Sequence, residues 1–314
     1  FALAVPFGLF AAFPSWLNSL PKSGGWMNSV KVILGFAELA LAFKFLSVAD
    51  MTAHWGILRY ELFMGLWVLV ALGMAAYMFG FIRFPHDSPD RRITPAVGFI
   101  GIGFTILGIY LASGLMGSQK TGTYNSLSLM SGLAPPAHYN FFKPDALVDE
   151  SIRSQYPSFT KCANNFNCFH DYYEGVAYAK SQNKPILLDF TGYGCVNCRK
   201  TEEHIWVKDK IWKMINEDFV LISLYVDDKL ELDSTLRSAV TNARIRTVGQ
   251  IWTDFQVSNF KQNSQPLYVL VSPDEKVLTT PRGYDSDIKA YDAFLECGLN
   301  TFNELKSPAI GDAK

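Results

Sequence analysis

Residues 184–200 decide the fold of this chain, and they read Lys-Pro-Ile-Leu-Leu-Asp-Phe-Thr-Gly-Tyr-Gly-Cys-Val-Asn-Cys-Arg-Lys. The apolar run from Pro185 to Phe190 predicts a short buried strand, and the residues from Thr191 to Gly194 predict a turn. The turn leads directly into Cys195-Val196-Asn197-Cys198, and a helix is predicted from Arg199 to Val207. Two cysteines separated by two residues are therefore expected where a strand and a turn lead into a helix.

This placement suits cysteine chemistry. Unpaired backbone N–H groups and the helix dipole favour negative charge at a helix start, so the pKa of Cys195 is lowered and more of the reactive thiolate forms. We expect Cys195 to attack a disulfide and Cys198, one turn deeper, to resolve the mixed disulfide. Half of a zinc site has the same spacing, but the chain contains no second such pair. Thiol–disulfide exchange is favoured over metal binding.

Helices and strands alternate in the region around this motif, which predicts an α/β domain. Helices are predicted at Asp171 to Gln182, Asp209 to Asn216 and Ser286 to Leu299, and strands at Phe219 to Val226, Leu267 to Val271 and Lys276 to Thr279. The polar stretch between the strands that end at Val226 and begin at Leu267 is predicted to be helix-prone.

The first part of the chain predicts a transmembrane helical bundle. The runs Leu62 to Ile82 and Ala96 to Met116 carry no charge and are long enough to cross a bilayer. Val30 to Val48 and the segment from Phe1 to about Leu20 are two further candidate spans, and buried helices of a large soluble protein are the alternative. Because the chain begins inside an apolar stretch, we expect a longer protein to continue upstream. The net charge of -1 gives no reason to expect nucleic acid as a partner.

Loop charges predict the orientation of these spans. Basic residues crowd the first and third connections, at Lys22, Lys31, Arg83, Arg91 and Arg92. In the second connection, Asp50 to Tyr60, Arg59 is the only lysine or arginine. By the positive-inside rule the first and third connections face the cytoplasm, and everything after Met116 lies on the opposite side.

Three more cysteines lie outside the motif. Cys162 and Cys168 are separated by five residues. They are compatible with a structural disulfide, with two free thiols or with a second redox pair, and a metal site with His170 has thin support. Cys297 is predicted to be a buried structural thiol in the last helix.

Two motifs resemble the DsbD family of thiol:disulfide interchange proteins. Residues 184–200 resemble the family's C-terminal thioredoxin-like domain, and Leu20-Pro-Lys-Ser-Gly-Gly-Trp-Met-Asn-Ser-Val-Lys31, leading into Gly35-Phe36, is similar to its transmembrane domain. The resemblance implies a transmembrane α-helical bundle at 1–117 and a thioredoxin-like domain, with a central mixed sheet flanked by helices, at 161–314. Residues 118–160 between them are rich in Ser, Gly, Pro and Asn, which indicates an extracytoplasmic linker that is a tether or an irregular surface segment. The resemblance also implies a multi-pass protein of the bacterial inner membrane with a periplasmic disulfide reductase domain.

The resemblance adds three site residues. Pro266 matches the position of the family's cis-proline beside the active site, and a trans proline starting an edge strand is the alternative. Asp189 and Glu202 match carboxylates that lie close to the cysteine pair, where their charge opposes thiolate formation and raises the pKa of Cys195. The alternative for Glu202 is an exposed helix carboxylate. No cofactor is expected besides the redox-active Cys195–Cys198 disulfide.

The resemblance also implies partners. The family's membrane domain relays electrons through its own cysteine pair, whereas residues 1–161 contain no cysteine. We therefore expect the relay cysteines and the amino-terminal domain of a full-length protein upstream. Further expected partners are extracytoplasmic thiol–disulfide proteins and membrane lipid. A membrane-tethered reductase for cytochrome c maturation and a non-catalytic partner-binding module are the alternative functions.

Overall fold

The computed structural model describes residues 25–85, 87, 93–117, 123–142 and 148–306. Three long helices come first: α1 (Gly25–Thr52), α2 (Tyr60–Met78) and α3 (Pro95–Ser113). Each is long and apolar enough to cross a membrane. Three of the predicted spans are thereby confirmed as helices, and α1 extends beyond the predicted span in both directions. The fourth predicted span, Phe1 to Leu20, lies outside the described residues.

The chain divides into two compact units. The first contains the described residues within Phe1–Ala42 and Leu66–Tyr110, and the second contains those within Phe43–Gly65 and Leu111–Lys314. The second unit therefore includes the end of α1, the connection from α1 to α2 and the start of α2, together with the α/β domain. The candidate site described below lies wholly in this second unit.

The α/β domain is built on a five-stranded mixed sheet. Its strands are β1 (Phe159–Lys161), β2 (Asn167–Phe169), β3 (Ile186–Thr191), β4 (Val220–Tyr225) and β7 (Leu267–Val271), in the order β1-β2-β4-β3-β7. β4 is parallel to both β2 and β3, whereas the outer pairs β1–β2 and β3–β7 are antiparallel. Strands β5 (Glu231–Arg237) and β6 (Arg244–Thr247) form a separate antiparallel hairpin.

Helices cover both faces of the sheet. They are α4 (Glu150–Gln155), α5 (Tyr172–Gln182), α6 (Val196–Lys200), α7 (Asp209–Asp218), α8 (Val248–Phe260) and α9 (Ile288–Lys306). A π-helical segment, Thr201–Ile205, follows α6 directly. Every residue of β3, β4 and β7 is buried, since one apolar cluster packs on each face of the sheet. Continuous apolar strands of this kind are expected when a sheet is covered on both sides.

Two predictions for the α/β domain were wrong. The polar stretch after β4 forms the hairpin β5–β6 before it enters α8, and the residues of this hairpin are mostly exposed. A hairpin that buries no face leaves no apolar alternation in its sequence, so the pattern could not reveal it. Lys276 to Thr279 is not a strand, because only one isolated bridge joins Val277 to Val271.

The predicted linker is irregular but not a surface tether. Within 123–142, the side chains of Tyr124, Met130 and Asn140 are buried. The Glu61 carboxylate at the start of α2 accepts the backbone N–H of Phe141 at 2.9 Å and also that of the next residue at 3.0 Å. Side-chain acceptors of this kind replace the hydrogen bonds that a helix or sheet would supply, so an irregular segment can pack tightly.

Candidate active site

The candidate active site is centred on a disulfide between Cys195 and Cys198, whose Cα atoms are 5.3 Å apart. Cys195 is the N-cap residue of α6, and its sulfur accepts the backbone N–H of Cys198 at 3.1 Å. Cys195 is 8% exposed and Cys198 is 1% exposed. The cysteine that sequence analysis assigned to the attack is therefore the less buried of the two residues, at the end of the helix where N–H groups lack intrahelical partners.

The turn before the disulfide is fixed by a carboxylate that sequence analysis did not identify. Asp227, just after β4, accepts the backbone N–H groups of Tyr193 and Gly194, each at 2.8 Å. A Cβ on Gly192 would lie 2.8 Å from Gln265 Oε1 and 2.9 Å from Asp227 Oδ2, so a larger residue there would have to displace these two side chains. An aspartate at the carboxyl end of a parallel strand was the available signal, because such strand ends meet at one edge of a sheet.

Asp189 is buried in β3, opposite Ser223 of β4 and Tyr268 of β7. The Ser223 hydroxyl donates to Asp189 Oδ2 at 3.2 Å, whereas Oδ1 has no hydrogen-bond partner among the described residues. Burial raises the pKa of Asp189 to about 7, and the nearby Arg199 charge and the serine hydroxyl only partly oppose this. A carboxyl group that changes charge near neutral pH thus lies in the strand that leads to the cysteine motif.

Glu202 forms a buried ion pair with Arg199. The distance from Arg199 Nη2 to Glu202 Oε1 is 2.6 Å, and the two side chains are only 3% and 6% exposed. Burial raises the pKa of Glu202 to about 8 against the opposing effect of Arg199, and the charges of Asp189 and Glu203 raise it further. The alternative of an exposed Glu202 is therefore wrong.

Arg199 is a second residue that sequence analysis missed. Burial lowers its pKa, but the neighbouring anionic groups, Glu202 first among the charges, raise it above the ordinary value, so the guanidinium stays charged. Arg199 Nη2 also lies 3.5 Å from the hydroxyl of Thr191 at the end of β3. The spacing of three residues between an arginine and a glutamate on a helix was the available signal.

Pro266 lies at the same edge of the sheet. The Gln265–Pro266 peptide bond is cis, as the family resemblance implied. The next residue, Leu267, is paired with Phe190 of β3, so Pro266 lies beside the end of β3 from which the turn leads to Cys195. The structure thus brings Asp189, Glu202 and Pro266 to the region around the disulfide.

The connection between α1 and α2 contacts this region within the second unit. His54 Nε2 lies 2.8 Å from Asp228 Oδ1, and the backbone N–H of Lys229 donates to the carbonyl of Thr52 at 2.9 Å. The His54 ring also packs edge-on against Tyr193, at 5.7 Å between centroids. Sequence analysis placed this connection on the same side of the membrane as the α/β domain but did not predict the contact.

Cys162 and Cys168 form a second, buried disulfide with a Cα–Cα distance of 5.9 Å. Of the alternatives above, the structure therefore contains the disulfide. His170 Nε2 lies 3.4 Å from Cys162 Sγ, and burial lowers the pKa of His170 to about 4. These three side chains are close enough to share a metal ion, but in the disulfide the two sulfurs are bonded to each other. The prediction for Cys297 was wrong, since this thiol is exposed.

The fold and the site define a thioredoxin-like domain that follows membrane-spanning helices. A family model described as thioredoxin-like matches residues 167–273. The chain is 26% identical over 250 residues to the thiol:disulfide interchange protein DsbD of Vibrio cholerae, which covers 80% of this chain and 34% of that protein. It is 28% identical over 237 residues to DsbD of Vibrio vulnificus strain YJ016, covering 76% of this chain and 32% of the relative. A solved structure named DsbH Oxidoreductase matches 46% of this chain and 88% of its own, at 16% identity and a TM-score of 0.32.

The predicted resemblance to DsbD is thereby confirmed, since this chain is similar to DsbD thiol:disulfide interchange proteins over most of its length. The chain spans about a third of the length of the curated relatives it matches. The match of 250 residues is longer than the α/β domain alone, so the similarity extends into the part of the chain that precedes this domain.

Proposed function

We propose that this chain is a thiol–disulfide oxidoreductase that reduces disulfides of extracytoplasmic proteins with the Cys195–Cys198 pair. The observation that carries this proposal is the disulfide at the start of α6, with Cys195 the more accessible sulfur. The similarity to DsbD and the match to a thioredoxin-like family support it. The reduced Cys195–Cys198 dithiol itself carries the two electrons, so the proposed reaction requires no bound cofactor.

The reaction begins with the reduced pair. The Cys195 thiolate attacks one sulfur of a partner disulfide, and the other partner sulfur leaves as a thiolate that takes up a proton. Cys198 then loses its proton and attacks the Cys195 sulfur, which releases the partner as a dithiol. Two electrons have passed to the partner, and the Cys195–Cys198 disulfide has formed. The N–H of Cys198, already 3.1 Å from Cys195 Sγ, favours the anion at Cys195.

The two buried carboxyl groups tune this chemistry. Asp189 and Glu202 have pKa values of about 7 and about 8, so both change charge near the pH of the reaction. When ionised, each opposes a thiolate at Cys195 and raises its pKa. We propose that this restrains Cys195 in the free protein and that docking of a partner releases its reactivity.

The oxidised pair must be reduced again before another cycle. We propose that electrons arrive through the membrane by way of an upstream pair of membrane-domain cysteines, and that the amino-terminal extracytoplasmic domain of a full-length protein takes electrons from the Cys195–Cys198 pair and hands them onward, as the resemblance implies. The membrane is the bacterial inner membrane, and the thioredoxin-like domain faces the periplasm. Basic residues of the described connections, such as Arg83 at the end of the second span, support this orientation. Partners are other thiol–disulfide proteins and lipid, and nucleic acid is not among them.

An insulin-reduction assay tests the proposal. The full chain in detergent, with dithiothreitol as electron donor, should accelerate precipitation of the insulin B chain. Cys195→Ser should remove the acceleration, and Cys297→Ser, which changes an exposed thiol in α9, should retain it. Equal rates for Cys195→Ser and the unchanged protein would contradict the proposal and favour a non-catalytic binding module.

The direction of electron flow needs a second measurement. Equilibration of the Cys195–Cys198 pair with glutathione gives its reduction potential. A reductase should have a value near that of thioredoxin, about -270 mV. A potential near that of the strong oxidant DsbA, about -120 mV, would reverse the proposed direction.

A further inference from the structure

A side chain from the ring closed by the Cys162–Cys168 disulfide contacts the π-helical segment that follows α6. Asn164 lies between the two cysteines, and its amide Nδ2 donates a hydrogen bond to the backbone carbonyl of Glu202 at 2.7 Å. The two residues are 38 positions apart in the chain, so only the folded domain brings them together. The second disulfide is thereby linked to a residue of the candidate active site.

The receiving carbonyl lies in the π-helical segment that follows α6. The backbone here pairs over five residues, as in the hydrogen bond from Trp206 N–H to Thr201 O at 3.0 Å. Single π-helical turns are rare and occur frequently at functional sites. A donor from a distant part of the fold, such as Asn164, fixes the backbone of Glu202 where the regular α-helical pattern has ended.

Asn164 is itself held from several sides. Its φ of 56° is left-handed, a conformation that asparagine adopts more readily than most residues. Its carbonyl accepts the indole N–H of Trp212 at 3.4 Å, and the ring of Phe166 stacks on that indole at 5.7 Å between centroids. The disulfide limits the freedom of the same short ring. The backbone of Asn164, from which the amide extends, is therefore restrained.

We propose that Asn164 is a positioning residue for the candidate active site: its amide fixes the backbone of Glu202 and thereby the carboxylate that pairs with Arg199. This inference rests on the proposed function of the Cys195–Cys198 pair. Glu202 follows Cys198 by four residues, and its negative charge opposes a thiolate at Cys195. When the amide is lost, the carboxylate is held less firmly near the pair, and Cys195 forms its thiolate at lower pH.

The test is the pH profile of Cys195 alkylation in the full chain. The parent protein carries Cys297→Ser, which removes an exposed thiol. It is reduced and treated with iodoacetamide across a pH series, and mass spectrometry follows the Cys195 peptide. Asn164→Gly removes the amide but tolerates the left-handed backbone. Asn165→Gly is the matched control, since it has the same residue type, the same ring and a φ of 64°.

The midpoint should move to lower pH by about half a unit in Asn164→Gly, an increase of about threefold in the thiolate fraction below the midpoint. Asn164→Ser also lacks the amide but introduces no glycine, so it controls for loosening of the ring. Its midpoint should move to lower pH in the same way. Asn165→Gly should keep the parent midpoint. An unchanged midpoint in both Asn164 variants, or an equal shift in Asn165→Gly, would overturn the inference.

A second experiment distinguishes positioning of the Glu202 carboxylate from a general loosening of the domain. In the Glu202→Gln protein, adding Asn164→Gly should produce no further shift, because the charge it positions is already absent. A full additional shift would show that Asn164 acts by another route and would also overturn the inference. Insulin reduction on the same samples keeps the two claims apart. A parent that does not reduce insulin contradicts the proposed function, whereas the alkylation midpoints decide the role of Asn164.

Discussion

The guanidinium of Arg199 and the carboxylate of Glu202 form an ion pair at 2.6 Å in which both side chains are almost fully buried. Removing one partner of such a pair leaves an uncompensated buried charge or forces a protonation, whereas removing both charges is often tolerated. The pair therefore places two charged groups directly after the cysteine motif. A variant that removes one charge should lose more stability than a variant that removes both.

We expect Arg199→Met to lower the stability of the domain by about 3 kcal/mol, because Glu202 then has no counter-ion. Differential scanning calorimetry of the full chain in detergent should record this as a lower Tm. The double variant Arg199→Met/Glu202→Gln should recover part of the loss. If the double variant is less stable than the single one, the buried pair does not act in this way.

Asp189 should make stability depend on pH. Burial raises its folded pKa from the ordinary value of 3.8 to about 7, so the folded state holds the proton more firmly than the unfolded state. Its contribution is fully present below about pH 4 and is lost as the pH rises to about 7. Asp189→Asn should therefore raise Tm relative to the unchanged protein more at pH 8 than at pH 4.5. A Tm difference independent of pH between the two proteins would refute this prediction.

The same carboxyl groups should raise the pKa of Cys195. Asp189→Asn and Glu202→Gln each remove a negative charge that opposes the thiolate, so the thiolate should form at lower pH. The pH midpoint of Cys195 alkylation by iodoacetamide, followed by mass spectrometry in the reduced protein, measures this directly. Asp274→Asn, in the exposed turn after β7, is a charge-matched control and should leave the titration unchanged. Identical titrations for all three variants would exclude the carboxyl groups from this role.

His54 and Asp228 should be coupled in stability. Their 2.8 Å contact joins the α1–α2 connection to the loop after β4, and His54 remains partly exposed. A double-mutant cycle of His54→Gln and Asp228→Asn, measured by Tm, should give a coupling of about 0.5 to 1 kcal/mol. Strictly additive effects of the two substitutions would show that the contact contributes nothing.

Local pattern was enough to place the cysteine pair. The apolar strand, the glycine-rich turn and the helix around Cys195 are adjacent in sequence, so their order could be predicted from composition and spacing alone. Asp189 and Glu202 were reached only through the family resemblance. Their burial, and hence the direction of their pKa shifts, depends on β4, β7 and Arg199. The two strands are distant in sequence, and the local sequence does not show that Arg199 is buried.

Contacts between distant segments account for what sequence analysis missed. Asp227 and Asn164 are ordinary polar residues in sequence, and their roles appear only when the fold brings them to Gly194 and Glu202. The hairpin β5–β6 was missed because it buries no apolar face. The sequence could not show how residues 123–142 pack, because hydrogen bonds to side chains such as Glu61, rather than an apolar period, hold this segment in place.

The central claim is that Cys195 supplies the attacking thiolate of an exchangeable pair, and competitive alkylation tests it most directly. The reduced full chain is treated briefly with iodoacetamide at neutral pH, and mass spectrometry compares the two cysteine positions. We predict that Cys195 is modified at least ~10 times faster than Cys198, because it lies at the helix start and is the more exposed sulfur. Faster modification of Cys198, with Cys195 inert, would contradict the account.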